Sequence, residues 1–345
     1  MRIVVVGGGP AGLYFALLAK KSRPGWQIRV LERNRPDDTF GFGVVFSDET
    51  LGNFAEADRE SYEEILANFA YWDRIDVHVG GEVITSGGHG FCGIARKRLL
   101  NILQRRARAL GVELEFGVEV APDLAAFADA DLIVAADGIN SAIREQNRAH
   151  FRPSIDWRRN KFVWLGTTRP LSTFTFIFRA NEHGLFQVHA YRFDGQTSTW
   201  IVETTEETWK RAGLDRMSEA ETIDYCQRLF AEDLDGHKLL ANRSLWRTFP
   251  TIKCERWTCN NVALMGDAAH TAHFSIGSGT KLAMEDAIAL HRACLEQEGA
   301  AAILDAYEKL RQDEVARLQA AAQTSLEWFE NTGRYRGMAP IQFAL

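Results

Sequence analysis

At 345 residues, 46% of them hydrophobic and 11% aromatic, the chain exceeds a typical single domain and has ample apolar side chain for a packed core, which excludes an intrinsically disordered protein. Its formal net charge is −6, from 40 basic and 46 acidic residues mixed along the chain, a balance that disfavours nucleic acid as a partner but leaves room for a local cationic patch. Five cysteines, sparse and odd in number, suit a reducing cytosol, and no stretch reaches the roughly 18 apolar residues of a membrane span; the expectation is a cytoplasmic enzyme without a membrane partner.

In chain order, Arg2 to Val6 is a β-branched run suited to a strand buried on both faces of a parallel sheet. A glycine cluster follows, then Leu13 to Ala19, apolar nearly all round, which predicts a buried helix that Arg23-Pro24-Gly25 ends. A second strand over 27–31 stops at Glu32. The spacing of Leu99, Leu100, Leu103 and Ala107 predicts an amphipathic helix over 95–109, and strands are expected at 112–120 and 131–136. Between 160 and 204, four aromatic and β-branched segments separated by turn residues predict an antiparallel sheet. Residues 217–231 return to helix, 261–265 to a buried strand, and 277–331 are mainly helical.

Three motifs carry chemistry. Gly7-Gly8-Gly9-Pro10-Ala11-Gly12 fits G-x-G-x-x-G between a strand and a helix: Gly7 for the tight turn, Gly9 for backbone approach to a pyrophosphate, Gly12 for helix–strand packing. The helix that opens with Pro10-Ala11 supplies the free N–H groups of its first turn and its positive dipole end to phosphate, although Pro10 itself has no N–H, and Glu32, followed by Arg33, is placed for a ribose diol. The second motif runs from Asp131 to Arg144 and presents Asp137-Gly138 at a strand end. In the third, Met265-Gly266-Asp267-Ala268-Ala269-His270 is followed by Gly277-Ser278-Gly279 at the mouth of a helix carrying Glu285-Asp286-Ala287.

Together and in this order, the motifs resemble those of the single-component flavoprotein aromatic hydroxylases of the p-hydroxybenzoate hydroxylase type. The resemblance spans residues 1 to about 330. It implies an α/β fold: a Rossmann-like parallel sheet that binds FAD, an inserted antiparallel sheet for substrate, and C-terminal helices. The division expected is a discontinuous FAD-binding domain (1–70, 91–156 and 256–300), a substrate domain (71–90 and 157–255) and a helical segment (301–345). The resemblance further implies tightly bound FAD, transient NADH or NADPH, and O2 as co-substrate. It puts Arg96, in Arg-x-x-Leu-x-x-x-Leu, on the FAD, and the backbone of Thr280 and Lys281 near the flavin pyrimidine ring. Two positions depart from the family pattern: Phe274 stands in place of a proline and Lys281 in place of an asparagine.

The segments Arg33 to Thr50 and Ser86 to Phe91 are similar to those of the salicylyl-CoA 5-hydroxylases and the hydroxylase half of the 2-aminobenzoyl-CoA monooxygenase/reductases, and Phe186 to Glu203 is similar to an indole hydroxylase of the violacein pathway. The likeness implies an aromatic CoA thioester as substrate, with 5-hydroxylation of salicylyl-CoA as the leading expectation. A 2-aminobenzoyl thioester, a free indole or an aromatic amine is the alternative, and a non-catalytic dinucleotide-fold binder is the distant one. Relatives of the 2-aminobenzoyl-CoA kind continue into a second catalytic module. For substrate residues, strand alternation puts Gln187, His189 and Tyr191 on one face, candidates to line a pocket and to accept a phenolic proton. His89, in a glycine-flanked loop, is a further candidate; His270 and His273 are not. Cys254 and Cys259 lie in the wrong place for a flavin disulfide reductase, and no ligand spacing marks a metal site.

Overall fold

The computed structural model describes residues 1–39, 41–47 and 51–344; Phe40 and Asp48-Glu49-Thr50, which belong to the segment 33–50, lie outside the described residues. Six strands form the first sheet, in the order Thr258–Cys259, Val262–Leu264, Leu132–Ala135, Arg2–Val6, Gln27–Glu32 and Glu113–Phe116. All are parallel to their neighbours except the edge strand Thr258–Cys259. The strand Arg2–Val6 is flanked on both sides, and Ile3 to Val6 are all buried, as an unbroken β-branched run requires. Helix Pro10–Ser22 packs against helices Arg96–Leu110 and Gly279–Glu296, so every residue from Pro10 to Ala19 is buried and no polar face is left.

The segments between 160 and 204 do pair antiparallel. They belong to a second sheet in the order Leu239–Leu240, Pro153–Thr167, Ser198–Thr205, Gly184–Arg192, Phe174–Asn181, Ile75–Val79 and Glu82–Ser86, with Arg247–Cys254 also paired to Pro153–Thr167. Phe174–Asn181 and Ile75–Val79 are its parallel pair. This sheet has its own core, built around Val163, Leu165, Val188, Trp200, Val202 and Phe230. A three-stranded sheet of Gly43–Ser47, Phe91–Ala95 and Ala70–Trp72 lies beside it. Helix Ala300–Glu330 starts in the main core with Ile303, Leu304 and Tyr307 and ends on the second sheet, where Phe329 packs with Phe178. No helix among the described residues is long and apolar enough to cross a membrane.

One strand departs from the pattern-based reading, and two stretches are divided. The strand expected over 112–120 stops at Phe116 because Gly117, at φ +73°, turns the chain. The stretch 254–259 is divided between sheets: Arg247–Cys254 ends in the second and Thr258–Cys259 lies in the first. The helical stretch 277–331 is two helices, Gly279–Glu296 and Ala300–Glu330, parted at Gly299 with φ +81°.

Candidate active site

The first motif folds into a turn that admits no side chain at Gly7 or Gly12. A Cβ at Gly7, whose φ is +110°, would lie 2.1 Å from the Ala136 carbonyl oxygen; one at Gly12 would lie 2.2 Å from the Gly7 oxygen. At Gly9 a Cβ would meet nothing within 4 Å, so here the bare backbone faces open space. Helix Pro10–Ser22 begins at this point with no side-chain cap and no acidic residue in its first turn, leaving its N–H groups and positive dipole end available to an anion. Glu32 is fixed beside them: one carboxylate oxygen accepts from Gly8 N at 2.7 Å, the other from Asn34 N and Nδ2 at 2.8 and 2.7 Å.

The second motif approaches from the neighbouring strand. Asp137 accepts a long hydrogen bond from Ile143 N, 3.4 Å, while its Oδ1 is buried without a partner; burial raises its pKa, against lowering by Ser141 and nearby backbone. Arg144 ties this motif to the third, donating to Ile139 O and to Ala268 O at 3.0 Å each. In the third, Asp267 projects into the open cavity, exposed to it yet enclosed by protein; that enclosure raises its pKa, and Arg96 pulls it back.

What holds the third motif is a charged cluster that sequence reasoning missed. Asp286 is completely buried: one oxygen accepts from Gly266 N (3.0 Å) and pairs with His270 Nε2 (2.7 Å), the other accepts from Arg311 Nε (2.8 Å). Burial would raise the Asp286 pKa, but His270 and Arg311 outweigh it and the pKa is lowered. A signal was present in the sequence. Leu282, Asp286 and Leu290 share one stripe of their helix, and a carboxylate on an otherwise apolar stripe requires a partner.

Two adjoining cavities result. One, of about 300 Å³, is lined by Val6 to Gly9, Leu31 to Pro36, Arg96 and Asp137; the other, of about 630 Å³, runs past Gly9 to Ala11, Arg96, Asn140, Asp267 and Gly277 to Thr280. They share Gly9, Arg96, Ala136, Gly138, Ile139, Asn140 and Asp267, so together they form one elongated channel with the three motifs along it. Its proportions suit a dinucleotide joined to a flat ring system. Lys281 does not line it; its Nζ lies 3.7 Å from Glu285. Opposite Asp267 the larger cavity is walled by Phe162, Trp164, Phe174, Tyr191, Phe249 and Phe274. Phe274 packs on Phe162 with ring centroids 4.9 Å apart.

Of the polar residues singled out on the strand Gly184–Arg192, only Tyr191 lines this chamber. Its hydroxyl donates to Gly43 O at 2.8 Å, and burial raises its pKa. Gln187 and His189 do share its face of the sheet, but the chain's far end covers them. Gln187 donates to Phe329 O at 3.1 Å, and the His189 ring lies 4.4 Å from that of Phe329 and 5.2 Å from Phe274. His189 Nε2 pairs with buried Glu203 at 2.9 Å, and Asn160 donates to the other Glu203 oxygen at 2.7 Å. The Glu203 pKa is lowered, the favourable contacts from His189, His273 and Asn160 exceeding the cost of burial. His273, which sequence reasoning set aside, is buried against Phe274 and Phe249; burial lowers its pKa to about 4. His89 stands apart, bonded to Ser86 Oγ at 2.8 Å and stacked on Phe91. Among the described residues Cys226, Cys254, Cys259 and Cys294 form no disulfide, and no group of side chains is arranged to hold a metal.

Comparison with known proteins gives this arrangement a family. Residues 1–322 match the FAD binding domain family. The chain is 46% identical to a salicyloyl-CoA 5-hydroxylase of a Streptomyces species, over all of this chain and 68% of that protein. It is 37% identical to the 3-hydroxy-4-methyl-anthranilyl-[aryl-carrier protein] 5-monooxygenase of Streptosporangium sibiricum, over 95% of this chain and 89% of the other. Its fold superimposes on the tetrameric form of 2-methyl-3-hydroxypyridine-5-carboxylic acid oxygenase with a TM-score of 0.77 at 22% identity, over 98% and 93% of the two chains.

Proposed function

The chain belongs to the FAD binding domain family and is a flavin-dependent aromatic monooxygenase, and from that premise we propose that it hydroxylates the ring of an aryl thioester, salicyloyl-CoA at its 5-position. The observation that carries the substrate is the 46% identity maintained across the whole chain to a hydroxylase of that compound.

The channel's chemistry fits FAD, with Gly7 and Gly12 leaving no room for side chains, open backbone at Gly9 and an unsatisfied buried oxygen on Asp137. Gly7, Gly9, Pro10, Ala11 and Gly12 would hold the pyrophosphate, Glu32 with Arg33 the adenosine ribose, and Arg96, Asp137, Gly138 and Asp267 the middle of the cofactor. The helix start at Gly277, Gly279 and Thr280 would face the ring system, where its dipole favours negative charge. With FAD held there and NADH or NADPH as reductant, the cofactor would supply an electrophilic oxygen drawn from O2.

The protein's share is placement and dryness. Phe162, Trp164, Phe174, Phe249 and Phe274 form a wall that excludes water and orients a flat ring. A phenol ortho to the thioester activates the ring carbon para to itself, so the aryl group must enter with that edge toward the flavin. Tyr191 keeps its own proton, since its hydroxyl donates to Gly43 O and burial raises its pKa; it shapes the chamber and is not the base. The test is NADH or NADPH oxidation by the yellow holoprotein with salicyloyl-CoA, 2-aminobenzoyl-CoA, free salicylate and an indole, with product masses. A gain of one oxygen in the salicyloyl thioester supports the proposal; equal stimulation by free salicylate overturns the thioester assignment. Asp267→Ala is expected to weaken FAD retention about tenfold or more, read by flavin release on dilution.

A further inference from the structure

Residues of the paired strands Pro153–Thr167 and Arg247–Cys254 line one side of the larger cavity, and the pairing there is irregular. Trp157 stands opposite Pro250 and Lys161 opposite Thr248, so Arg158, Arg159 and Asn160 face Phe249 alone. Two extra residues in one strand bend it and re-aim its side chains. Asn160 turns inward to Glu203, and Arg158 is taken up by Glu330 at 2.6 Å and by Asp156. Trp157 is left lining the cavity with 61% of its surface exposed. On the facing strand Arg247 also lines the cavity, exposed and with no carboxylate partner among the described residues. Lys161 nearby is engaged by Thr248 Oγ1 and lies over the Trp209 ring. An open indole face and a guanidinium with no carboxylate partner among the described residues thus both stand on the chamber wall, accessible to a ligand.

Resting on the thioester reading above, the geometry points to Trp157 and Arg247 as the subsite for a 4′-phosphopantetheine arm. The aryl ring fills the chamber, and the arm, too long to be contained there, leaves over the rim. Its amide-bearing stretch lies on the Trp157 face, and its phosphate meets the Arg247 guanidinium. CoA and an acyl carrier protein both present this arm, and the chemistry of the subsite is the same for each.

The experiment compares salicyloyl-CoA, salicyloyl-phosphopantetheine on a carrier protein, and salicyloyl-N-acetylcysteamine, which lacks the phosphate, using holoenzyme of wild type, Arg247→Ala, Arg247→Lys and Trp157→Ala. In Arg247→Ala the wild-type preference for the CoA over the N-acetylcysteamine thioester, as a ratio of kcat/KM, falls about tenfold, through KM. Arg247→Lys restores part of it, and Trp157→Ala lowers kcat/KM for both phosphopantetheine substrates severalfold. Whichever of the CoA and carrier forms saturates at lower concentration is the physiological source, and an Arg247→Ala effect on it upholds the subsite. An unchanged ratio overturns the proposal, as does a loss that falls on the KM for NADH, which would give the rim to the dinucleotide. Wild-type enzyme that turns over free salicylate as well as any thioester defeats the thioester reading itself, a failure visible before any variant is made.

Discussion

The two walls of the larger cavity are built differently. The wall from residues 9–11, 138–140 and 277–280 is largely backbone, with glycines where a Cβ cannot fit or must not intrude. The wall from 157–164, 174, 191 and 247–250 is side chain, mostly aromatic rings seated on one another. A backbone wall recognises what a cofactor always presents, a pyrophosphate and a flat ring edge, and it tolerates almost no substitution. A side-chain wall can be recut by exchanging rings without moving a strand. Cofactor identity is therefore rigid and substrate identity adjustable, in keeping with a family whose members hydroxylate different arenes.

The hardest test of the backbone wall is Gly12→Val. Its Cβ would sit 2.2 Å from the Gly7 oxygen and 2.9 Å from Val5 Cγ1, and neither can yield without shifting the central strand. We expect a loss beyond about 4 kcal/mol, with no yellow holoprotein recovered. Recovery of stoichiometric FAD would show the turn to be more pliant than its contacts imply. Next in size is Asp286→Ala, which strips the shared partner from His270, Arg311 and Gly266 N. Breaking a buried charged cluster on one side costs on the order of 3–5 kcal/mol, to be read from urea unfolding. Because the Asp286 pKa is lowered in the fold, its contribution is present above the ordinary carboxylate value of 3.8 and is lost as pH falls through the folded value. The acid-unfolding limb of this variant should accordingly be flatter than that of wild type.

The same contrast governs what was legible from sequence. Gly7, Glu32, Asp137 and Asp267 lie in the channel wall and Gly12 at the helix–strand contact behind it, because backbone sites depend on local spacing, which a sequence displays. The Asp286 cluster escaped because its members lie 16 and 25 residues apart, on separate elements. Gln187 and His189 were read onto the right face, but the segment that covers them, at Phe329, is more than 130 residues away. Period-2 alternation shows which side chains share a face and is silent on what will lie over that face.

A third test sets a buried histidine of one half against a half-buried histidine of the other. His273 sits behind the aromatic wall, near Glu203, His189 and Arg158; His291 sits in the cofactor half, bonded to Ser22 Oγ at 2.8 Å near Lys21 and Arg23. Burial lowers each from 6.5 to about 4. A histidine held neutral in the fold contributes stability above its unfolded value that is lost as pH falls from 6.5 toward 4, here about 3 kcal/mol each. Replacing either by Gln should remove part of the pH dependence in that window. If His291→Gln removed it all, the aromatic half would be open to water below pH 6.5.

The smallest expected effect bears on the side-chain wall itself. Tyr191 lines the chamber with its ring stacked on Phe174 at 5.4 Å and on Trp72 at 6.0 Å, while its hydroxyl is spent on Gly43 O. Tyr191→Phe keeps both stacks and removes only that hydrogen bond, leaving a carbonyl unsatisfied on the strand Gly43–Ser47. A cost of about 1 kcal/mol in stability is expected, with kcat within a few-fold of wild type, because a phenol whose pKa burial has raised cannot accept the substrate's proton near neutrality. The pH profile of kcat should keep its shape in the variant. A drop in kcat of a hundredfold, or a lost limb in that profile, would make Tyr191 a participant in proton transfer, and the aromatic wall would then be chemical as well as steric.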